Sequence, residues 1–266
     1  MTIDRSVDVG NRRLMPLYVA LTLVLLGVAA YEFILLIGII GDQQALGVDQ
    51  VYYRDVGRRW LETGVYYTDR QLAGPYVQTT LVDNLYPPHA LYLFVPFVFL
   101  PAILWWLVPL GLVVYALWEL RPRPWVWPIL ALILALPKTG VVVLYGNTDL
   151  WVLGLVAGAV LWGWPGVLLS FKPSLGFLGL IGITRRSWWV AAAVLAILSL
   201  PMIPLWLDWP TVVRNSQVSA EYSLANIPLM ILPVVAWLGS SRRGRPRLPA
   251  PVAALVGRVP VDESRR

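Results

Sequence analysis

LMPLYVALTLVLLGVAAYEFILLIGII, residues 14–40, and GDQQALGVDQVYYRDVGRRWLETGVYYTDRQLAGPYVQTTLVDNLYPPH, residues 41–89, decide the fold between them. The first is a long apolar run. A helix needs only about 20 such residues to cross ~30 Å of hydrocarbon, so this one can also tilt. A signal peptide cleaved near Val28, Ala29 and Ala30 is the competing reading, but the run continues too far for a signal h-region. It is expected to be an uncleaved first span. The second stretch is the longest polar segment of the chain and holds its largest cluster of acidic residues. A membrane protein exposing one such loop is expected to work there.

Composition points the same way. Apolar residues make up 58% and charged residues only 14% of the 266 positions, and there are 14 Trp. A soluble protein of this length carries more charge on its surface. The formal charge of +6 does not point to nucleic acid, because the basic residues punctuate apolar segments and so report membrane orientation. With no Cys, disulfides and thiolate metal sites are excluded, and a single His argues against a histidine metal site.

In chain order, residues 1–13, with Arg5, Arg12 and Arg13, read as a cytoplasmic N-terminus, and residues 41–88 as the first outer loop. Within that loop Val51, Val56, Trp60 and Leu61 fall near helical spacing, as in a short amphipathic helix on the membrane surface. Residues 89–120, interrupted by Pro96, Pro101 and Pro109, read either as one crossing preceded by a shallow interfacial helix or as a hairpin. Residues 125–145 return outward and 150–162 go back in. Residues 163–184 hold two arms too short to span, so they read as a re-entrant or tightly broken hairpin with Lys172 at its tip. Residues 188–205 exit, 206–226 form a second outer loop, 227–238 make a short last span, and 241–266 are expected to be a disordered basic cytoplasmic tail. The expected fold is therefore all-α, a polytopic membrane helical bundle of about seven to eight segments over residues 14–240.

Each polar candidate has two readings. Asp49 is either the N-cap of the amphipathic helix or a general base, since an ordinary carboxylate is ionised at neutral pH and accepts a proton. Tyr52, Tyr53 and Trp60 offer aromatic faces of the kind that hold sugars, or belong to an interfacial belt. Lys172, inside an apolar hairpin, must snorkel, pair or face a wet cavity, and could bind a lipid-linked phosphate. Lys138 poses the same question more weakly. Asn147 and Asp149 satisfy helix-start rules without any further role. His89 reads as an interfacial side chain, and Arg58, Arg59 and Arg214 as ligands for phosphate or lipid headgroups. No Walker loop, dinucleotide fingerprint, HExxH or GxSxG motif is present.

Taken in order, these positions resemble the GT-C class of integral membrane glycosyltransferases, and most closely glycosyltransferase family 87, whose members use polyprenyl-phosphate-mannose. The resemblance rests on Asp49 with Tyr52 and Tyr53, then Gly57, Leu61, Gly64 and Tyr66; on Tyr86-Pro87-Pro88; on Gly146 and Asn147; and on Lys172 and Pro173. It departs at Asn147, where the family has Gln, and at Asp149, where Asn is usual, and the chain looks shortened. The resemblance implies a multi-pass cell-membrane enzyme with its site on the extracytoplasmic face. It would transfer a sugar, mannose by family habit, from a polyprenyl-phosphate donor to a glycan or glycolipid acceptor, with inversion. Asp49 would be the base; Lys172, Arg58 and Arg214 would hold the donor phosphate; and Tyr52, Tyr53, Tyr86, His89 and Asn147 would shape the sugar and acceptor pocket. No cofactor or metal is required, because a lipid phosphate is already a leaving group. The alternative is a non-enzymatic membrane protein: a lipid-carrier flippase component, an assembly partner or a degenerate transferase.

Overall fold

The computed structural model describes residues 5–77, 83–217 and 225–240, with side chains from Arg13 onward. Among these residues the chain is all-helical, its only extended pairings being isolated bridges between Tyr76 and Ser216 and between Pro122 and Ser240. The expected tail, residues 241–266, lies outside the described residues.

Two helices are long and apolar enough to cross a membrane, Arg13–Asp42 and Arg186–Asn215, and there are up to four crossings if each of two bent pairs is one span. Thirty residues at 1.5 Å each give about 45 Å, more than the hydrocarbon core requires, so both helices can tilt. Only 6% of the apolar window of either is buried. Apolar side chains left uncovered on this scale imply a lipid solvent, and the chain is a membrane protein.

Proline sets the bends. Pro88–Phe99 and Leu104–Leu120 meet at 117°, because Leu100, immediately before Pro101, is driven into extended backbone (φ −82°, ψ 150°). Pro124–Leu134 and Pro137–Tyr145 meet at 66° for the same reason at Leu136 (φ −71°, ψ 126°). The expected straight return over 125–145 is therefore broken. Thr139 Oγ1 donates to Ile133 O at 2.8 Å, satisfying a carbonyl near the break.

The segment 206–226, expected as a loop, is helical as far as Asn215. Its polar residues misled because the helix is held by contacts with the first loop, one of them made by a polar residue. Trp209 Nε1 donates to Leu85 O at 3.1 Å, Val212 is fully buried and Asn215 Nδ2 donates to Gln71 O at 2.9 Å. These residues recur every three positions and dock the helix onto the first loop, while Arg214 stays exposed on the other side. Residues 218–224 lie outside the described residues.

At the centre is Asp149–Trp162, with Leu150 and all residues from Val152 to Leu161 buried. At about 21 Å it is too short to cross alone. It packs against Leu104–Leu120 so closely that a Cβ on Gly154 would lie 2.8 Å from Pro109. Next comes the broken hairpin: Pro165–Leu168 and Leu169–Phe171 run in, the helix stops at Lys172 (φ −122°, ψ 84°), and Pro173–Gly182 runs back. The arms touch backbone to backbone, so a Cβ on Gly166 would sit 2.6 Å from Gly179 O. Arg185 closes the base by donating to the carbonyls of Leu161 and Val160, the latter at 3.0 Å. A cation there satisfies the orphan carbonyls at the end of the central helix.

Candidate functional site

The site starts where the first span hands over to the first loop. Gly47 takes a left-handed turn (φ 71°) and the helix Val48–Thr63 begins at once. Asp49 is thus the second helical residue and makes no capping bond, contrary to the N-cap expectation. The Gly47 N–H donates to Leu144 O at 2.8 Å, which fastens this helix start to the corner at Gly146.

That corner admits only glycine. Gly146 has φ +68°, and a Cβ there would lie 2.7 Å from the Trp106 ring and 3.0 Å from Gln50 Cβ. Trp105 Nε1 donates to Gly146 O and Trp106 Nε1 to Val143 O, both at 2.7 Å. Held this way, Asn147 serves two neighbours. Its Oδ1 accepts from the Asp149 N–H at 3.0 Å, opening the central helix, and its Nδ2 donates to Asp49 Oδ2 at 2.6 Å. The two bonds together assign the amide orientation. Burial pushes the Asp49 carboxyl above the ordinary carboxylate range; the Asn147 bond and the Lys172 charge pull it back, and the Asp149 charge adds to the rise.

Asp149 is fully buried, and its carboxylate accepts from Lys172 Nζ and from Asn226 Nδ2. Lys172 at the hairpin tip is buried with it, so of the readings open to this lysine the structure shows pairing. Between Asp149 and Asn147, buried Thr148 shares a 2.5 Å hydrogen bond with the Tyr86 hydroxyl, which in turn lies 3.2 Å from that of Tyr53. The Tyr53 ring is stacked between Phe94 at 5.0 Å and Trp105 at 5.7 Å, and Tyr86 stacks on Phe171 at 6.0 Å. His89 packs against Trp206 and meets Ser170 at 2.9 Å.

Other tyrosines are struts. Tyr52 donates to Asp83 O at 2.6 Å, Tyr66 to Pro87 O at 3.3 Å and Tyr67 to Tyr86 O at 2.8 Å. They pin the segment 83–87 against the loop helix, and the Tyr52 hydroxyl is spent on that task. Arg58 is exposed and lies 3.6 Å from Asp55, while Arg214 is exposed on the helix that docks the loop. Neither arginine contacts Asp49, Asn147, Asp149 or Lys172 among the described residues, so the expected cationic site around Lys172 is not assembled from them.

The structure therefore gathers Asp49, Tyr53, Tyr86, Asn147 and Lys172, places His89 against Ser170 of the hairpin, and leaves out Arg58 and Arg214. It adds Thr148, Asp149, Ser170 and Asn226, which the sequence reading did not select. For Asp149 a signal existed: an acid opening a wholly apolar helix, in a chain with one lysine inside a hairpin, needs a partner. For Asn226, set in a polar segment, there was none. Gln50 Nε2 and Asn226 Oδ1 are buried beside this cluster without hydrogen-bond partners among the described residues. Among the described residues, no group of three or more His, Asp or Glu could hold a metal ion.

The arrangement offers a half-buried carboxylate with raised basicity, a donor amide on it, a neutralised buried ion pair and a wall of aromatic rings. It can accept a proton and present hydrogen bonds to a polar ligand in a site only partly open to water. In comparisons with known proteins, no protein-family model, curated protein or solved structure matches the chain.

Proposed function

We propose that this chain is a GT-C-like membrane glycosyltransferase of about seven to eight membrane segments with its site on the extracytoplasmic face. It transfers a sugar, mannose in the first instance, from a polyprenyl-phosphate donor to a hydroxyl of a glycan or glycolipid acceptor. The observation that carries this reading is convergence. Four short motifs far apart in sequence, at Asp49, Tyr86, Asn147 and Lys172, meet in one polar cluster inside an apolar helical protein. A chance scatter of polar residues has no reason to collect there, and intramembrane ionisable residues are costly to keep.

The chemistry follows from the residues. The acceptor hydroxyl gives its proton to Asp49. Its oxygen then bonds to the anomeric carbon from the face opposite the phosphate, and the old C–O bond breaks with its electron pair leaving on the phosphate. Inversion results. Asn147 holds the carboxylate in line. Lys172 is already paired with Asp149, so the departing phosphate shares its ammonium rather than finding a bare charge. Mannose transfer from polyprenyl-phosphate-mannose, assayed in membranes bearing wild type or Asp49→Asn, tests the reading. Product from wild type alone supports it, and equal product from both removes Asp49 as the base.

One observation favours a non-enzymatic membrane protein. Both carboxylate oxygens of Asp149 are taken, one by Lys172 and one by Asn226, as in a purely structural polar node. Absence of transfer from folded wild-type protein with any lipid-linked sugar selects that reading.

A further inference from the structure

The hairpin tip is gripped residue by residue: Ser170 by His89, Phe171 by Tyr86 and Lys172 by Asp149. The first grip fixes a tautomer. Ser170 Oγ lies 2.8 Å from Val167 O and 2.9 Å from His89 Nε2. A carbonyl oxygen only accepts, so the single serine proton goes to Val167, and Ser170 Oγ must accept from the ring. His89 therefore carries its proton on Nε2, and Nδ1 is left as a lone-pair acceptor.

Among the described residues that Nδ1 is buried with no hydrogen-bond partner, on a residue only 6% exposed. The ring stacks on Trp206, with centroids 5.3 Å apart and planes 12° apart. Trp206 Nε1, a donor only, is likewise buried and unpartnered among the described residues. An acceptor and a donor left unmatched on two stacked rings are costly, and their chemistry limits what can match them. An ionised phosphate oxygen accepts, so it serves Trp206 but not His89 Nδ1. An ammonium donates, so it serves Nδ1 but not Trp206. A hydroxyl does both, and a sugar brings vicinal hydroxyls on a ring whose C–H face suits aromatic surface.

We infer that His89 and Trp206 form a subsite that reads the sugar ring of the lipid-linked donor, with hydroxyl groups donating to His89 Nδ1 and accepting from Trp206 Nε1–H. Ser170 is a positioning residue that keeps Nδ1 unprotonated. The subsite rests on the transferase reading and adds a division of labour: Asp49 acts on the acceptor, and the His89–Trp206 pair selects the donor sugar.

The chain has one histidine, so imidazole ¹⁵N NMR of the protein in lipid nanodiscs reports His89 alone. The protein by itself should show a neutral ring protonated at Nε2. Short-chain polyprenyl phosphates bearing mannose, glucose or arabinose are then added, with the sugar-free polyprenyl phosphate as control. At least one sugar lipid should move the Nδ1 resonance toward its hydrogen-bonded position, and the control should not. Trp206→Phe keeps the stack and removes the donor, and should weaken that probe's Kd about tenfold. Ser170→Ala should mix the two tautomers. A proton on Nδ1, no movement with any of the three sugar lipids, or a hydrogen-bonded Nδ1 that none of them changes (a bound water only) overturns the subsite. Transfer measured in the same nanodiscs separates the two ideas. Transfer with Nδ1 unmoved removes the subsite and keeps the enzyme. Movement without transfer keeps a sugar-lipid site and removes the enzyme.

Discussion

Lys172→Met removes the ammonium that neutralises Asp149, and burial decides the consequence. Asp149 is 0% and Lys172 7% exposed, so neither charge can turn to water. Removing one partner of such a pair costs about 3–5 kcal/mol, because the remaining charge stays buried. Asn226 still donates to Asp149 in this variant, which places the loss at about 3 kcal/mol, and Asp149→Leu, which takes the carboxylate away from the buried Lys172 ammonium, should lose a similar amount. The double variant Asp149→Leu/Lys172→Met leaves no buried charge. Its remaining defect is an Asn226 amide without its acceptor, about 1–2 kcal/mol. The double variant should therefore be more stable than either single one. Melting followed by tryptophan fluorescence in one detergent at one scan rate reads this. Each single variant should melt about 6–12 °C below wild type, with the double between them and wild type. A double variant that melts as low as the sum of the two singles would show that the charges do not compensate each other, and the account of the hairpin tip would fail.

Five further outcomes are expected. Asp49→Asn should lower transfer about 10²–10⁴-fold, the worth of a general base; a smaller loss moves the base elsewhere. Burial raises the Asp49 carboxyl and the base works ionised, so kcat/KM should fall as pH drops through a midpoint above the ordinary Asp value of about 4. Asn147→Leu, which deletes the bond that lowers it, should move that midpoint upward, and an unmoved midpoint disconnects Asn147 from the base. Gly146→Ala and Gly64→Ala both place a side chain at positive φ, but only the first also meets Trp106 at 2.7 Å while Gly64 faces open space; melting should show Gly146→Ala worse by about 1–3 kcal/mol. Arg58→Ala and Arg214→Ala, both at exposed positions, should each change transfer less than about twofold, and a larger loss would return them to the site.

The membrane class was legible because it depends on local composition: the first span, the hairpin too short to cross and the break at Lys172 each follow from lengths and prolines. The helix over 203–215 was not. Its face is defined by what it covers, namely Leu85 and Gln71 in the first loop, and a sequence window cannot see a partner more than a hundred positions away. The same limit hid Asn226, whose significance is a contact with Asp149. Asp149 itself was read by a local rule, helix-start chemistry, that holds only for its backbone: Asn147 does open the helix, while the carboxylate faces inward. Arg58 and Arg214 failed in the opposite sense. Their charge suggested a phosphate site, but both are exposed and, among the described residues, neither contacts the buried cluster.

The two acids of the cluster differ in a way that bears on function. Asp149 has both carboxylate oxygens occupied, by a lysine and an amide, and no exposed surface. Asp49 is half-buried and accepts from Asn147 through one oxygen, Oδ2, while burial raises its affinity for a proton. Neighbouring carboxylates held in unlike environments are how one site separates a group that takes a proton from a group that fixes charge. A purely structural node would have every reason to close both acids, since each unsatisfied acceptor costs stability. That Asp149 is closed while Asp49 keeps a proton-accepting edge is why Asp49, and not its better-buried neighbour, is the residue on which the transferase reading stands or falls.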